Sequence, residues 1–240
     1  GRSRRWTRGP PRYGWKVSHN GRWHLTVHIE SGRVADGKQQ RWLTGLRAIA
    51  RLHTGDLRMT CNQNLVIANV AADQRAAIDA LIAEYGLDGY RKASLLSLHA
   101  VACVALPTCG LAMAESERYL PRLLPKIEAL LDQHSVSDAP ILLRLSGCPN
   151  GCSRPYLGEI ALVGRAIGRY DLRLGADFSG HRLNTLERQN IDDGAVLDAL
   201  GALLADYAAT RRSGEGFGDF LVRSGTVTPP LRRIPLEQVA

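Results

Sequence analysis

Four of the five cysteines in this 240-residue chain fall into two close pairs. Cys103 and Cys109 enclose VALPT, and Cys148 and Cys152 enclose PNG. A thiolate is both a nucleophile and a soft metal ligand, so paired cysteines raise three chemical readings. In the first, the thiols are small apolar residues that fill a core. In the second they hold a structural zinc ion, whose ligand pairs are usually two to four residues apart; the five-residue gap between Cys103 and Cys109 fits this poorly. In the third they hold a 4Fe-4S cluster, which takes four thiolates and tolerates a proline directly after a ligand, as in Cys148-Pro149. On spacing, the cluster fits best. The stretch LSGCPNGCSRP, Leu145 to Pro155, adds small and turn-forming residues. Gly147 and Gly151 would let main chain approach a bulky inorganic group without a Cβ in the way, N–H groups aimed at sulfur would raise its potential, and Pro149 stiffens the turn. Cys61 has no cysteine near it in sequence and reads as a half-buried residue at the end of a strand. Of the seven histidines only His24 and His28 form a close pair, and on a strand that spacing puts both on the solvent face rather than around a metal.

Two groups of elements must position these residues. In the first, Trp23, Leu25, Val27 and Ile29 alternate with polar residues as in a strand with one buried face, and Ser31-Gly32 is the expected hairpin turn. Leu43, Leu46, Ile49 and Ala50 recur at helical spacing. Asp56 to Thr60 and Leu65 to Val70 read as strands joined through Asn62-Gln63-Asn64, and a helix on Ile78, Leu81, Ile82 and Tyr85 stops at Gly86. In the second group, Leu120, Leu123, Leu124, Ile127, Leu130 and Leu131 mark a helix that starts late or bends at Pro121 and Pro125 and ends near His134. Strands follow at Ile141 to Leu145, Glu159 to Val163 and Tyr170 to Leu174. A last helix carries Val196, Leu200, Leu203, Leu204 and Tyr207, with Asp192 or Asp193 as its cap and Arg211-Arg212 at its negative end.

Composition bounds the function. The chain is 45% hydrophobic and 22% charged, enough for one large domain or two small ones with a core. No apolar run approaches the roughly 18 to 20 residues that span a bilayer, and the N-terminus has arginines at 2, 4, 5, 8 and 12 without an apolar signal stretch. A cytoplasmic protein with no membrane partner is expected. Few and unevenly numbered cysteines argue against a secreted disulfide framework. The net charge of +8 calls for an anionic partner, but the basic residues are scattered and no zinc-finger or helix-turn-helix spacing is present, which argues against nucleic acid. The first residue is Gly1, which leaves a processed, tagged or truncated start open.

The pairing of ACVALPTCGLAMAESER with LRLSGCPNGCSRP resembles the cluster motif of the siroheme-dependent sulfite and nitrite reductases. GRWHLTVHIESGRV, TGDLRMTCNQNL, VGRAIGRYDLRLG and GEGFGDFLVRSG carry the resemblance from about Gly14 to Val227. It is nearest to the assimilatory, NADPH-dependent sulfite reductases, and to their second half only. It implies an α+β fold in four segments: a basic segment at 1–13, a ferredoxin-like half-domain at 14–90, a domain binding a 4Fe-4S cluster and siroheme at 91–225, and a tail at 226–240. It implies Cys103, Cys109, Cys148 and Cys152 as cluster ligands, Cys152 also as axial ligand to siroheme iron, and Asn150 as a siroheme neighbour. Asn62, Gln63 and Asn64 read equally as cofactor-facing or as an ordinary turn. The implied reaction is the six-electron reduction of sulfite to sulfide in sulfur assimilation. Its partners would be sulfite, the missing first half of the hemoprotein and an NADPH-dependent flavoprotein, towards which GEGFGDF and Arg223 lean; a ferredoxin as donor, nitrite as substrate, or a non-catalytic electron-transfer module are the alternatives. The family's sulfite-holding cations lie in its first half, so no catalytic residue is assigned in this chain.

Overall fold

The computed structural model describes residues 12–37 and 40–229. Most of the basic segment at 1–13, and the tail from 230 on, lie outside the described residues. The chain divides into two compact units, one ending at Val101 and the other taking up from Ala102. Among the described residues no helix is long and apolar enough to cross a membrane.

The first unit is a four-stranded antiparallel sheet in the order β1-β2-β4-β3, formed by Gly14–Val17 (β1), Trp23–Val27 (β2), Asp56–Met59 (β3) and Leu65–Val70 (β4). Helices Trp42–Leu52 (α1) and Arg75–Glu84 (α2) contribute Trp42, Leu46, Ile49, Ile78 and Ile82 to one core with Leu25, Val27, Ile29, Ile67 and Val70 of the sheet. The buried face expected of β2 is present at Leu25 and Val27 and continues at Ile29. Its hairpin partner, however, is upstream: β1 joins β2 through a turn in which the Gly21 N–H donates to the Ser18 carbonyl (3.0 Å), while Glu30–Gly32 forms a short 3-10 turn. In α1 the inward face is Trp42, Gly45, Leu46 and Ile49, and Leu43 and Ala50 are exposed. Tryptophan and glycine fall outside an aliphatic pattern, and Gly45 is needed because a Cβ there would lie 2.5 Å from that of Tyr85.

A short helix Leu95–His99 (α3) leads to the second unit, whose five-stranded sheet runs β5-β6-β7-β8-β9. Its strands are Val101–Ala102 (β5), Leu143–Ser146 (β6), Ile160–Ala166 (β7), Arg169–Leu174 (β8) and Thr185–Ile191 (β9). Strands β6 and β7 pair in parallel and the β7-β8-β9 edge is antiparallel. Helix α4 spans Leu120–Gln133. It does not start late, and it ends near His134 as expected: Pro121 sits in the first turn, where its missing N–H costs nothing, and Pro125 is carried inside. Helix α5, Asp193–Thr210, is capped by Asp192, whose carboxylate accepts from the Ala195 N–H at 3.1 Å. Phe217–Arg223 (α6) is the FGDFLVR stretch; its Phe217 and Phe220 pack around Tyr207 with ring centroids 5.4 and 5.3 Å away. Arg223 donates from Nε (2.6 Å) and Nη2 (2.8 Å) to Glu215, holding that carboxyl down to about 2. Its role here is to fasten α6.

Candidate metal centre

Both cysteine loops leave neighbouring strands. Cys103 follows β5 directly, and its N–H donates to the carbonyl of Leu145 on β6 (3.1 Å). Three residues past Leu145 the chain reaches Cys148. The 147–159 connection carrying Cys148 and Cys152 is the crossover between parallel β6 and β7, and a parallel pair requires such a long link. The other loop folds tightly on itself, with the Cys109 N–H donating to Ala105 (2.8 Å) and the Ala112 N–H to Cys109 (3.1 Å).

Gly147 joins the two loops. Its carbonyl accepts from the N–H groups of Met113 (2.8 Å) and Ala114 (3.0 Å), and its own N–H donates to Sγ of Cys103 (3.2 Å). A Cβ on Gly147 would lie 2.5 Å from that of Ala105 and 2.7 Å from the Ala114 carbonyl. Close approach of the other loop is what requires glycine here. Gly151 has a separate reason, a left-handed turn at φ 74 whose carbonyl accepts from Arg154 (2.8 Å).

Residues without a sequence pattern brace the second loop. Buried Asn184 donates through Nδ2 to the carbonyls of Pro155 (2.7 Å) and Gly158 (2.9 Å), and its Oδ1 accepts from Nε of Arg173 (3.0 Å). The Tyr156 hydroxyl donates to the Pro149 carbonyl (3.1 Å). Buried Ser146 and Ser153 share a 2.6 Å hydroxyl contact across the base of the loop. The Ser116 hydroxyl donates to Leu145 (2.7 Å). A lone Asn or Ser has no period, and only the carbonyls it meets reveal its role.

Cys148 is buried, Cys103 and Cys109 are half-buried, and Cys152 and Asn150 are exposed. Among the described residues, no three His, Cys, Asp or Glu side chains converge on a single-ion site. The four thiols lie on two loops that are hydrogen-bonded to each other. An all-thiol donor set and an amide already directed at one sulfur are what an iron-sulfur cluster takes.

The remaining expected residues lie in the first unit. Cys61 is exposed in the β3-β4 turn, beyond the strand rather than half-buried at its end. Asn64 is buried in that hairpin: Oδ1 accepts from the Ile29 N–H (3.2 Å) and Nδ2 donates to the Tyr13 hydroxyl (3.1 Å). Its amide is therefore committed to internal bracing. Asn62 and Gln63 complete the turn, with Gln63 at φ 64. His24 and His28 share the face opposite the buried Leu25, Val27 and Ile29, but it is half-buried rather than exposed. Nδ1 of His24 accepts from the Asn69 N–H (3.3 Å), and His28 lies edge-on to Tyr13 with ring centroids 5.7 Å apart. Burial lowers the His28 pKa to about 4 and pushes the Tyr13 hydroxyl up to about 12.

The chain is similar to the nitrite and sulfite reductase family. Residues 16–85 match that family's nitrite/sulfite reductase ferredoxin-like half domain. The sulfite reductase (NADPH) hemoprotein beta-component of Myxococcus xanthus (strain DK1622) is 58% identical over 219 residues, covering 91% of this chain and 39% of that protein. The component of the same name from Xanthomonas oryzae pv. oryzae (strain PXO99A) is 58% identical over 236 residues, covering 95% and 42%. The solved structure of the Mycobacterium tuberculosis NirA protein shares the fold, with a TM-score of 0.71 at 24% identity over 93% of this chain and 42% of that one. The chain spans about two fifths of the length of the curated relatives it matches.

Proposed function

We propose that this chain is the cluster-binding part of a sulfite reductase hemoprotein that reduces sulfite to sulfide. The first unit serves as the ferredoxin-like half-domain and the second as the cofactor-binding domain. Cys103, Cys109, Cys148 and Cys152 hold a 4Fe-4S cluster, and Cys152, together with Asn150, borders a siroheme. The observation that carries the reading is the junction at Gly147, where two cysteine loops 44 residues apart are hydrogen-bonded together and a backbone N–H is already directed at a cysteine sulfur. When bound, the two groups supply electron storage and a metal centre for the oxyanion.

The chain's own residues do three things in this scheme. The loops present thiols without large side chains between them, since Ala105, Ala112 and Ala114 line the contact with Gly147. The Gly147 N–H, directed at the Cys103 sulfur, would make the potential of a bound cluster more positive. Exposure of Cys152 and Asn150 leaves that side of the turn open to a second group. The names of the relatives point to a companion component and to NADPH as the source of electrons, so a flavoprotein partner in the cytoplasm completes the scheme.

Iron and acid-labile sulfide analysis of anaerobically purified variants tests it. Cys103→Ala, Cys109→Ala and Cys148→Ala should each lose the cluster, because four ligands leave no spare, and Cys61→Ala should retain it. Full loading of Cys109→Ala, or none in Cys61→Ala, would refute the assignment.

A further inference from the structure

Two asparagine-glycine pairs occur in the chain, Asn20-Gly21 in the β1-β2 turn and Asn150-Gly151 between Cys148 and Cys152. An asparagine followed by glycine can close on itself: the glycine nitrogen attacks the side-chain carbonyl carbon, and with no Cβ on the second residue nothing crowds the ring that forms. Both asparagines are exposed, so access to water does not distinguish them. Hydrogen bonding does. Oδ1 of Asn20 accepts from the Ser18 hydroxyl and from the Arg22 N–H (3.1 Å), and the Gly21 N–H donates to the Ser18 carbonyl (3.0 Å). The attacking nitrogen and the carbonyl it would attack are thus both held in a closed turn.

At Asn150 neither group is held. Among the described residues, its side-chain amide makes no hydrogen bond and the Gly151 N–H makes none. The chain is fastened on either side instead: the Pro149 carbonyl accepts from the Tyr156 hydroxyl (3.1 Å), and the Gly151 carbonyl accepts from the Arg154 N–H (2.8 Å). Between these anchors the 150–151 peptide, which supplies the attacking nitrogen, can turn without breaking a bond. We propose that Asn150 is the site at which the folded chain spontaneously converts an asparagine to aspartyl and isoaspartyl residues. The Gly151 nitrogen gives up its proton to solvent and bonds to Cγ of Asn150; the Cγ–Nδ2 bond breaks, and Nδ2 takes up a proton and leaves as ammonia. Water then adds to one of the two carbonyls of the resulting cyclic imide and opens it, to an aspartyl or an isoaspartyl residue. Nothing is oxidised or reduced. Either product puts a negative charge midway between Cys148 and Cys152, and the isoaspartyl form lengthens the main chain between them by one carbon. The conversion does not depend on the cluster assignment.

The test is incubation of the purified 240-residue chain, kept reduced, at mildly alkaline pH in water enriched in heavy oxygen, followed by tryptic digestion and mass spectrometry. The peptides 17–22 and 145–165 contain one asparagine each, so every site reports separately. In the folded chain the Asn150 peptide should gain heavy oxygen at least about tenfold faster than the Asn20 peptide, where hydrogen bonds must open first. It should also accept methyl groups from a protein isoaspartyl methyltransferase. In concentrated urea, which removes the turn bonds from both sites, the two rates should come within about threefold of each other. Asn150→Gln, whose longer side chain has to close a larger ring, should remove the conversion from its own peptide and leave that of Asn20 unchanged. Equal rates in the folded chain, a tenfold gap that persists in urea, or no isoaspartyl product in the 145–165 peptide would overturn the proposal.

Discussion

Gly164 lies on β7, outside both cysteine loops, yet it should control them. Opposite Tyr170 in the β7-β8 register, it packs under the junction: a Cβ built there lies 2.3 Å from the Gly147 carbonyl oxygen, 2.7 Å from its carbon and 2.8 Å from Cβ of Ala114. Two of these atoms are backbone, so Gly164→Ala must push the Gly147 peptide aside. Its carbonyl accepts from Met113 and Ala114, and the N–H of the same residue donates to Cys103. Each backbone bond contributes about 0.5–1.5 kcal/mol net, and forcing a methyl into packed interior costs about 1–3 kcal/mol. Losing two bonds and adding the overpacking gives a destabilisation of about 2–6 kcal/mol, or on the order of 10 °C in Tm for a chain of this size. Gly110→Ala is the matching control. It is next to Cys109 but has nothing within 4 Å of its would-be Cβ, and its cost should be within about 0.5 kcal/mol. Urea denaturation of both variants, followed by iron content after anaerobic reconstitution, reads the two effects. If Gly164→Ala matches the parent in stability and loading, the loops are not positioned through Gly147 and the reasoning fails.

Two further outcomes follow from the bracing residues. His28 has its folded pKa lowered from 6.5 to about 4 by burial beside Tyr13, so between those values the unfolded chain binds the extra proton; stability should fall by about 3 kcal/mol as pH drops from 7 to 4, and His28→Gln should flatten that part of the profile in urea titrations. Asn184→Ala strands two carbonyls and Nε of Arg173, and should cost about 2–4 kcal/mol in the same assay; Asn184→Asp, which cannot donate to Pro155 and Gly158, should be no better.

What the sequence discloses here is what repeats. Alternation over Trp23–Ile29, the helical period of α4 and α5, and the apolar runs of β6, β7 and β8 all sit where periodicity places them, because each element buries one regular face. β1, β5 and β9 escape that logic. β1 and β9 carry mixed or mostly exposed residues and β5 is only two residues long, so neighbouring strands specify them more than their own composition does. The misplaced hairpin turn has a related cause: Ser31-Gly32 has turn chemistry and does turn, but pairing was won by a strand upstream whose burial is too slight to show. The face of His24 and His28 is half-buried rather than exposed, because alternation tells which residues share a face, not whether that face is covered. Tyr13, from outside the strand, packs on His28.

The cysteine pairs were legible because spacing is local, but their juxtaposition depends on long-range pairing. Cys103 meets Leu145 only because β5 adjoins β6, and the Cys148 loop has its length because β6 and β7 are parallel. Closing the gap between the loops then requires side chains with almost no volume at every facing position, Ala105, Ala112 and Ala114 on one side and Gly147 and Gly164 on the other. Small residues in loops usually read as turn formers. Here they are a packing layer, and this explains a requirement for glycine at Gly164, in the middle of a strand, where a turn-based reading finds no reason for it.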